Sequence, residues 1–165
     1  MHFMIAAMLV GCSVSRLEKK LEPDELGHWR ALRVYMEEEE QKTYLKSKTR
    51  PERDDFLKQN GLWDRFYQYP PHVRELIEAG EVQPGWTVDM VLMSWGQPYS
   101  RDRVFGRDAQ ESERLTYRFE QQPDGAYLVW VPNSKTQYKA VRLFVFELIT
   151  DDGKVMTMEE KDASW

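Results

Sequence analysis

The sequence predicts an α+β fold in which N-terminal helices pack with a C-terminal antiparallel β-meander in two layers. Apolar residues recur at helical spacing as far as Trp95. From Asp102 onward they alternate with polar residues, which is the pattern of a half-buried strand. Turn sequences, Pro-Asp-Gly and Asp-Asp-Gly, separate the alternating segments. Helices first and strands afterwards are the order of an α+β protein.

The composition indicates one main folded domain and excludes one class of partner. The chain has 165 residues, of which 41% are hydrophobic and 13% aromatic, enough for a packed core. Its formal net charge is −5, and its basic residues are scattered among acidic ones. Nucleic-acid binding requires a clustered basic surface, so we expect no nucleic-acid partner.

Residues 23–84 are predicted to be a helical region. Residues 22–48 read as one helix, with the acidic run 37–40 on a solvated face. A second helix starts at Thr49, where Glu52 three residues later forms a capping box. It ends at Asn60 and Gly61, because glycine favours a helix C-terminus.

The next helical segment is densely aromatic. Trp63, Phe66 and Tyr67 share one helix face, which we expect to pack in a core more readily than to stack on a ligand. Two prolines, Pro70 and Pro71, interrupt the chain, and residues 72–79 form a further short helix.

The stretch from Gln83 to Ser100 has the clearest local signals. Thr87 is placed to cap a helix whose apolar face ends at Trp95. Gly96 is placed for a left-handed C-cap, and Pro98 prevents the helix from continuing. Each of these residues has a structural reason to be there.

Strands account for the rest of the chain. A first strand is predicted to begin at residues 103–106, and a loop is expected at residues 133–136. The other predicted strands are residues 113–120, 126–132, 138–150 and 154–160.

The lone cysteine, Cys12, excludes an internal disulfide and a thiolate zinc cluster. It follows an apolar stretch, and Leu9-Val10-Gly11-Cys12 resembles a bacterial lipobox. The resemblance implies a lipoprotein signal peptide over residues 1–11, acylation of Cys12 and a lipidated tether over residues 12–22. The alternative is a buried N-terminal segment that contains a thiol by chance.

A longer resemblance covers the C-terminal half. Gly85-Trp86-Thr87, then Trp95-Gly96-x-Pro98, followed by strands, resembles the BamE-like (SmpA/OmlA) fold of small outer-membrane lipoproteins. It implies a BamE-like α+β domain over residues 85–165, with Trp95 in place of the family's leucine. It also implies a periplasm-facing outer-membrane location and a protein partner in the envelope, with the barrel-assembly machinery as the suggested complex.

A second, partial resemblance runs over residues 37–98 and concerns the GWxTD region of bacterial envelope proteins. Here the sequence is Gly85-Trp86-Thr87-Val88-Asp89, so the threonine is displaced by one position. Neither resemblance implies catalytic residues, metal ligands or a cofactor.

Three function classes follow from the sequence. The first is a non-enzymatic, lipid-anchored assembly or scaffold factor, which contacts its partner through a strand edge or the helix near Trp63. The second is a small-ligand module on the sheet aromatics Tyr117, Tyr127 and Trp130. The third is a hydrolase that uses carboxylates, for which Asp54 and Asp55 point about 100° apart and form no dyad.

Overall fold

The computed structural model describes residues 16–104, 112–130 and 140–164. The chain divides into two compact units, one ending at Glu78 and the other beginning at Ala79. Helices precede a five-stranded antiparallel sheet, so the predicted α+β class is confirmed. The predicted boundary between the helical region and the α+β domain lies between residues 84 and 85.

The first unit is helical. Its elements are α1 (Pro23–Leu32), a 3₁₀ turn (Arg33–Tyr35), α2 (Glu38–Lys46), α3 (Arg50–Gln59), α4 (Leu62–Tyr67) and α5 (Pro71–Ala79).

The single helix predicted over residues 22–48 is wrong, because the chain breaks at Met36. Met36 and Glu37 are extended, and Glu37 then caps α2 in a capping box with Glu40. The Glu37 N–H donates to the Glu40 carboxylate at 2.8 Å. The acidic run 37–40 therefore starts a new helix, where negative charge is favoured by the helix dipole.

The start and end of α3 follow the prediction. Thr49 accepts a hydrogen bond from the Glu52 N–H, and the Glu52 carboxylate accepts one from Thr49. Gly61 has a φ of 69°, a left-handed conformation that glycine adopts without strain.

Large apolar side chains fill the interior of the helical unit. Fully buried members are Trp29, Leu32, Tyr44, Leu57, Phe66 and Ile77. Trp29 on α1 stacks on Tyr44 of α2, with ring centroids 5.7 Å apart. One ion pair lies among them: the Arg53 guanidinium of α3 donates to both carboxylate oxygens of Glu25 on α1.

The second unit contains α6 (Val88–Trp95) and strands β1 (Ser100–Arg103), β2 (Glu113–Gln121), β3 (Tyr127–Trp130), β4 (Arg142–Asp151) and β5 (Lys154–Asp162). The first strand lies earlier than the 103–106 prediction, since β1 ends at Arg103. Residues 105 and 106, and the predicted loop at 133–136, lie outside the described residues.

The sheet departs from a simple meander at one point. β2 is its centre and pairs with β4 along its whole length. β1 and β3 pair with β2 at its first and last residues respectively, so β3 does not join β4. β4 and β5 form a hairpin whose turn residues, Asp152 and Gly153, both have positive φ.

The apolar face of the sheet packs against α6. Leu115, Tyr117 and Phe119 of β2 are fully buried, as the alternating pattern predicts. The Trp95 ring lies 5.0 to 5.2 Å from the rings of Tyr117, Phe119 and Phe146. Among the described residues, no helix has the length and apolar character needed to cross a membrane.

Candidate functional site

The predicted Gly85-Trp86-Thr87 motif lies beside the β4–β5 hairpin. The Gly85 N–H donates to the Val155 carbonyl at 2.7 Å, and the Val155 N–H donates to the Trp86 carbonyl at 2.8 Å. The Thr87 hydroxyl accepts from the Met90 N–H at 3.3 Å, so the predicted cap of α6 is confirmed. The motif thus joins the start of α6 to the start of β5, which is a structural role.

Gly96 ends α6 in a different way from the left-handed cap that we predicted. Its φ of 77° is positive, but its ψ of −157° lies outside the left-handed helical region. Its carbonyl accepts a hydrogen bond from the Tyr117 hydroxyl at 3.0 Å, because the chain turns back towards β2 here. Pro98 lies beyond the end of the helix, as predicted.

The predicted lipobox residues Leu9, Val10, Gly11 and Cys12 lie outside the described residues.

The sheet aromatics do not share one face. Tyr117 is fully buried against α6, and Tyr127 packs on Phe144 on the same side of the sheet. Trp130 pairs with Arg118, so it lies on the opposite side, where its indole N–H donates to Glu120. The grouping of the three rings as one platform is therefore wrong.

The two adjacent aspartates also stay apart. Asp54 is half-buried and faces Arg50, while Asp55 is exposed. The helix geometry therefore gives no carboxylate dyad, in agreement with the expectation from the sequence.

The most site-like feature of the described residues is a four-layer arrangement on the surface of the helical unit. We call it the aromatic stack: Lys58, Trp63, Tyr67 and Arg74. The rings of Trp63 and Tyr67 stack with centroids 4.3 Å apart. The Lys58 ammonium lies 4.9 Å from the Trp63 centroid, and the Arg74 guanidinium lies 4.4 Å from the Tyr67 centroid.

The order of the aromatic stack follows from steric exclusion. Two groups cannot occupy the same ring face at these distances. Lys58 therefore covers the Trp63 face that Tyr67 leaves, and Arg74 covers the Tyr67 face that Trp63 leaves. Each outer face of the ring pair is bounded by a cation, in the geometry of a cation–π contact.

Exposure separates the aromatic residues of α4. Phe66 is buried, as predicted, whereas Trp63 is half-buried and Tyr67 is 37% exposed. The prediction that all three pack in a core is wrong for Trp63 and Tyr67. The six-residue helix α4 can bury only a short face, and the buried residues on it are Leu62 and Phe66.

His28 supports the aromatic stack from the core side. It is 3% exposed, and its Nε2 lies 2.7 Å from the Tyr67 hydroxyl. Burial lowers the pKa of His28 below its ordinary value, although the carboxylates of Asp24 and Asp54 act in the other direction. The neutral imidazole therefore holds the Tyr67 ring in place.

Unsatisfied polar atoms are concentrated at this place. Within the described part of the chain, His28 Nδ1 and Arg74 Nε are the buried side-chain atoms that lack a hydrogen-bond partner. Arg74 and Lys58 also form no ion pair with any described residue. The nearby carboxylates of Asp24 and Asp54 are engaged by Arg50.

Sequence reasoning found only half of this site. The i, i+4 spacing of Trp63 and Tyr67 is visible, but Lys58 and Arg74 come from α3 and α5, and His28 comes from α1. A signal was present in part: connections of two and three residues join α3, α4 and α5, which forces these helices to be neighbours.

In the ranges that the structure describes, no three His, Cys, Asp or Glu side chains cluster as metal ligands would. Comparison with protein-family models, curated proteins and solved structures finds no match to this chain, so the resemblances drawn from the sequence stay predictions.

Proposed function

We propose that this chain is a non-enzymatic, lipid-anchored protein of the bacterial envelope, which faces the periplasm from the outer membrane and serves as an assembly or scaffold factor. The lipobox resemblance at Cys12 supports the anchor. The BamE-like order of motifs supports the location and a partner in the barrel-assembly machinery. The aromatic stack supports a role in binding a protein, and it is the observation that carries the proposal.

The composition of the aromatic stack is that of a binding hot spot. Trp, Tyr and Arg are the residues that most often dominate the free energy of protein association. Here one of each lies side by side, partly exposed, and Arg74 forms no ion pair with a carboxylate among the described residues. His28 fixes the Tyr67 ring before binding, so less side-chain entropy is lost on association.

The other candidate surface, the outer edge of β5, is less suited to strand addition. Its first residues already pair with the segment around Thr87. The register shift between Ile149 and Thr150 leaves Met156 as a bulge, and charged side chains follow. Bulges and charges are the devices by which natural edge strands avoid pairing with other chains.

Site-specific photo-crosslinking tests the proposal. A photoreactive amino acid at exposed Asp64, next to Trp63, should give a covalent adduct with a subunit of the barrel-assembly machinery in intact cells. The matched placement is exposed Met156 on β5, which should give little of that adduct. If the adduct forms from Met156 and not from Asp64, the sheet edge is the contact surface. If neither position reaches an assembly subunit, the proposed role is wrong.

A further inference from the structure

The outward electrostatics of the aromatic stack differ from those of an ordinary aromatic platform. A free ring face is electron-rich and attracts cations, sugar C–H groups or methylammonium groups. In this protein the outer faces of Trp63 and Tyr67 are already covered by Lys58 and Arg74. The rings therefore offer an incoming group mainly their edges, and the edge of an aromatic ring carries partial positive charge.

The Lys58 and Arg74 cations add to the positive potential at the ring edges. Lys58 is exposed and Arg74 half-buried, and neither forms an ion pair with a carboxylate of the described chain. Glu78, one turn further along α5, acts on Arg74 at longer range, and burial raises the pKa of its carboxyl. Lys58 and Arg74 thus place two positive charges beside the ring pair, on a chain whose formal net charge is −5. The carboxylates of Asp24 and Asp54, which also act on Tyr67, are engaged by Arg50.

From this geometry we infer that the aromatic stack binds an acidic peptide segment of the partner protein, in which carboxylates meet Lys58 and Arg74 and apolar side chains lie along the edges of Trp63 and Tyr67. The inference rests on the proposed function, because it names the chemistry of the partner at the same surface. Carboxylate recognition by Arg is directional, since the guanidinium presents several donors in one plane.

Peptide binding to the purified full chain in mild detergent tests the inference. The probe is a short fluorescein-labelled peptide of alternating glutamate and leucine, and its partner probe has every glutamate replaced by glutamine. The acidic peptide should bind with an affinity that falls as salt is raised. The glutamine peptide should bind about tenfold more weakly or not at all, as expected when charge complementarity is lost.

Variants locate the binding surface. Arg74→Gln should weaken binding of the acidic peptide about tenfold, and Lys58→Gln should weaken it less, because an exposed pair contributes less than a half-buried one. Arg74→Lys keeps the charge but loses the planar set of donors, so it should recover only part of the affinity that Arg74→Gln loses. The matched control is Lys48→Gln, which removes an exposed lysine of the same unit and should leave the affinity unchanged. Circular dichroism of each variant confirms that the fold is kept.

Several outcomes would overturn the inference. They are equal binding of the two peptides, no binding of either, or an equal loss in the Lys48→Gln variant. Tighter binding to vesicles of anionic phospholipid than to the peptide would assign the surface to a membrane instead. The two experiments can fail independently. A crosslink from Asp64 without binding of the acidic peptide would support the proposed function and reject the acidic peptide as the ligand. Binding of the acidic peptide without a crosslink to an assembly subunit would support the ligand chemistry and reject the proposed partner.

Discussion

Glu25 and Arg53 form a buried ion pair within the helical unit. Arg53 Nε and Nη2 lie 2.7 and 3.0 Å from the two oxygens of Glu25, and Arg53 Nη1 also donates to the Ser47 carbonyl. Burial alone would raise the pKa of the Glu25 carboxyl, but hydrogen bonds from Arg53 and from the Glu22 N–H bring it below its ordinary value. The carboxylate is therefore charged in the interior and depends on its partner.

Removal of the arginine should be costly. Arg53→Met leaves the Glu25 charge buried and unpaired, so the free energy of unfolding should fall by about 3–5 kcal/mol. Urea unfolding followed by tryptophan fluorescence measures the loss. The control is Arg50→Met, which breaks the exposed pair with Asp24 and should have little effect. Equal losses in the two variants would contradict the assignment of Glu25–Arg53 as the structurally important pair.

The lowered pKa of His28 predicts how the free energy of unfolding depends on pH. Its pKa is lowered by burial from the ordinary value of 6.5, so as pH falls the unfolded chain takes up this proton before the folded chain does. Stability is then lost below about pH 6.5, at up to about 1.4 kcal/mol per pH unit.

Unfolding measured between about pH 5 and 7.5 checks the sign and the assignment. His28→Gln should flatten the decline below about pH 6.5, because glutamine does not titrate. His72→Gln, which replaces an exposed histidine of α5, should keep the slope of the original chain. A slope that survives in the His28 variant would show that another group is responsible.

At the scale of elements, the end of α6 shows why one glycine differs from another. Gly61 has φ 69° and ψ 9°, which asparagine also tolerates, whereas Gly96 has φ 77° and ψ −157°. The second combination is open almost only to glycine, since a Cβ atom meets the neighbouring peptide groups.

The same substitution at the two positions should therefore have different effects. Gly96→Asn should lower the free energy of unfolding by about 1–3 kcal/mol, while Gly61→Asn should lower it by less than about 1 kcal/mol. Apart from the adjoining residues of the chain, nothing lies within 4 Å of the point where a Cβ atom would stand at either glycine, so the difference isolates the backbone. Thermal or urea unfolding of both variants gives the comparison, and equal losses would refute it.

At the same scale, the sequence predicts some helix ends correctly and misses others. The end of α3 is encoded by Asn60 and Gly61, and its start by Thr49 and Glu52, so both were predicted. The break at Met36 was missed, because glutamate at a helix start is compatible both with a capping box and with the middle of a longer helix.

At the scale of the whole molecule, the proposed membrane anchor gives the simplest prediction. Acylation of Cys12 would place two or more acyl chains in the bilayer, and each buried methylene contributes about 0.8 kcal/mol. The original chain should therefore incorporate a palmitate analogue and sediment with membranes, and Cys12→Ala should do neither. Ser13→Ala is the control, since it leaves the acylated sulfur in place. Absence of label in the original chain would rule out the anchor.

The α+β class and some element ends, such as both ends of α3 and the start of α6, were determined by the sequence alone, because periodicity, caps and turns depend on residues a few positions apart. The start of β4 was not, since the strand predicted from residue 138 begins at Arg142. Leu115, Tyr117 and Phe119 face the core as their alternation requires. Only the tertiary structure decided that β3 joins β2 and not β4. It also brought together the aromatic stack and His28 from four helices. Contacts between residues of different helices depend on how the helices pack, and the spacing of residues along one element does not determine that packing.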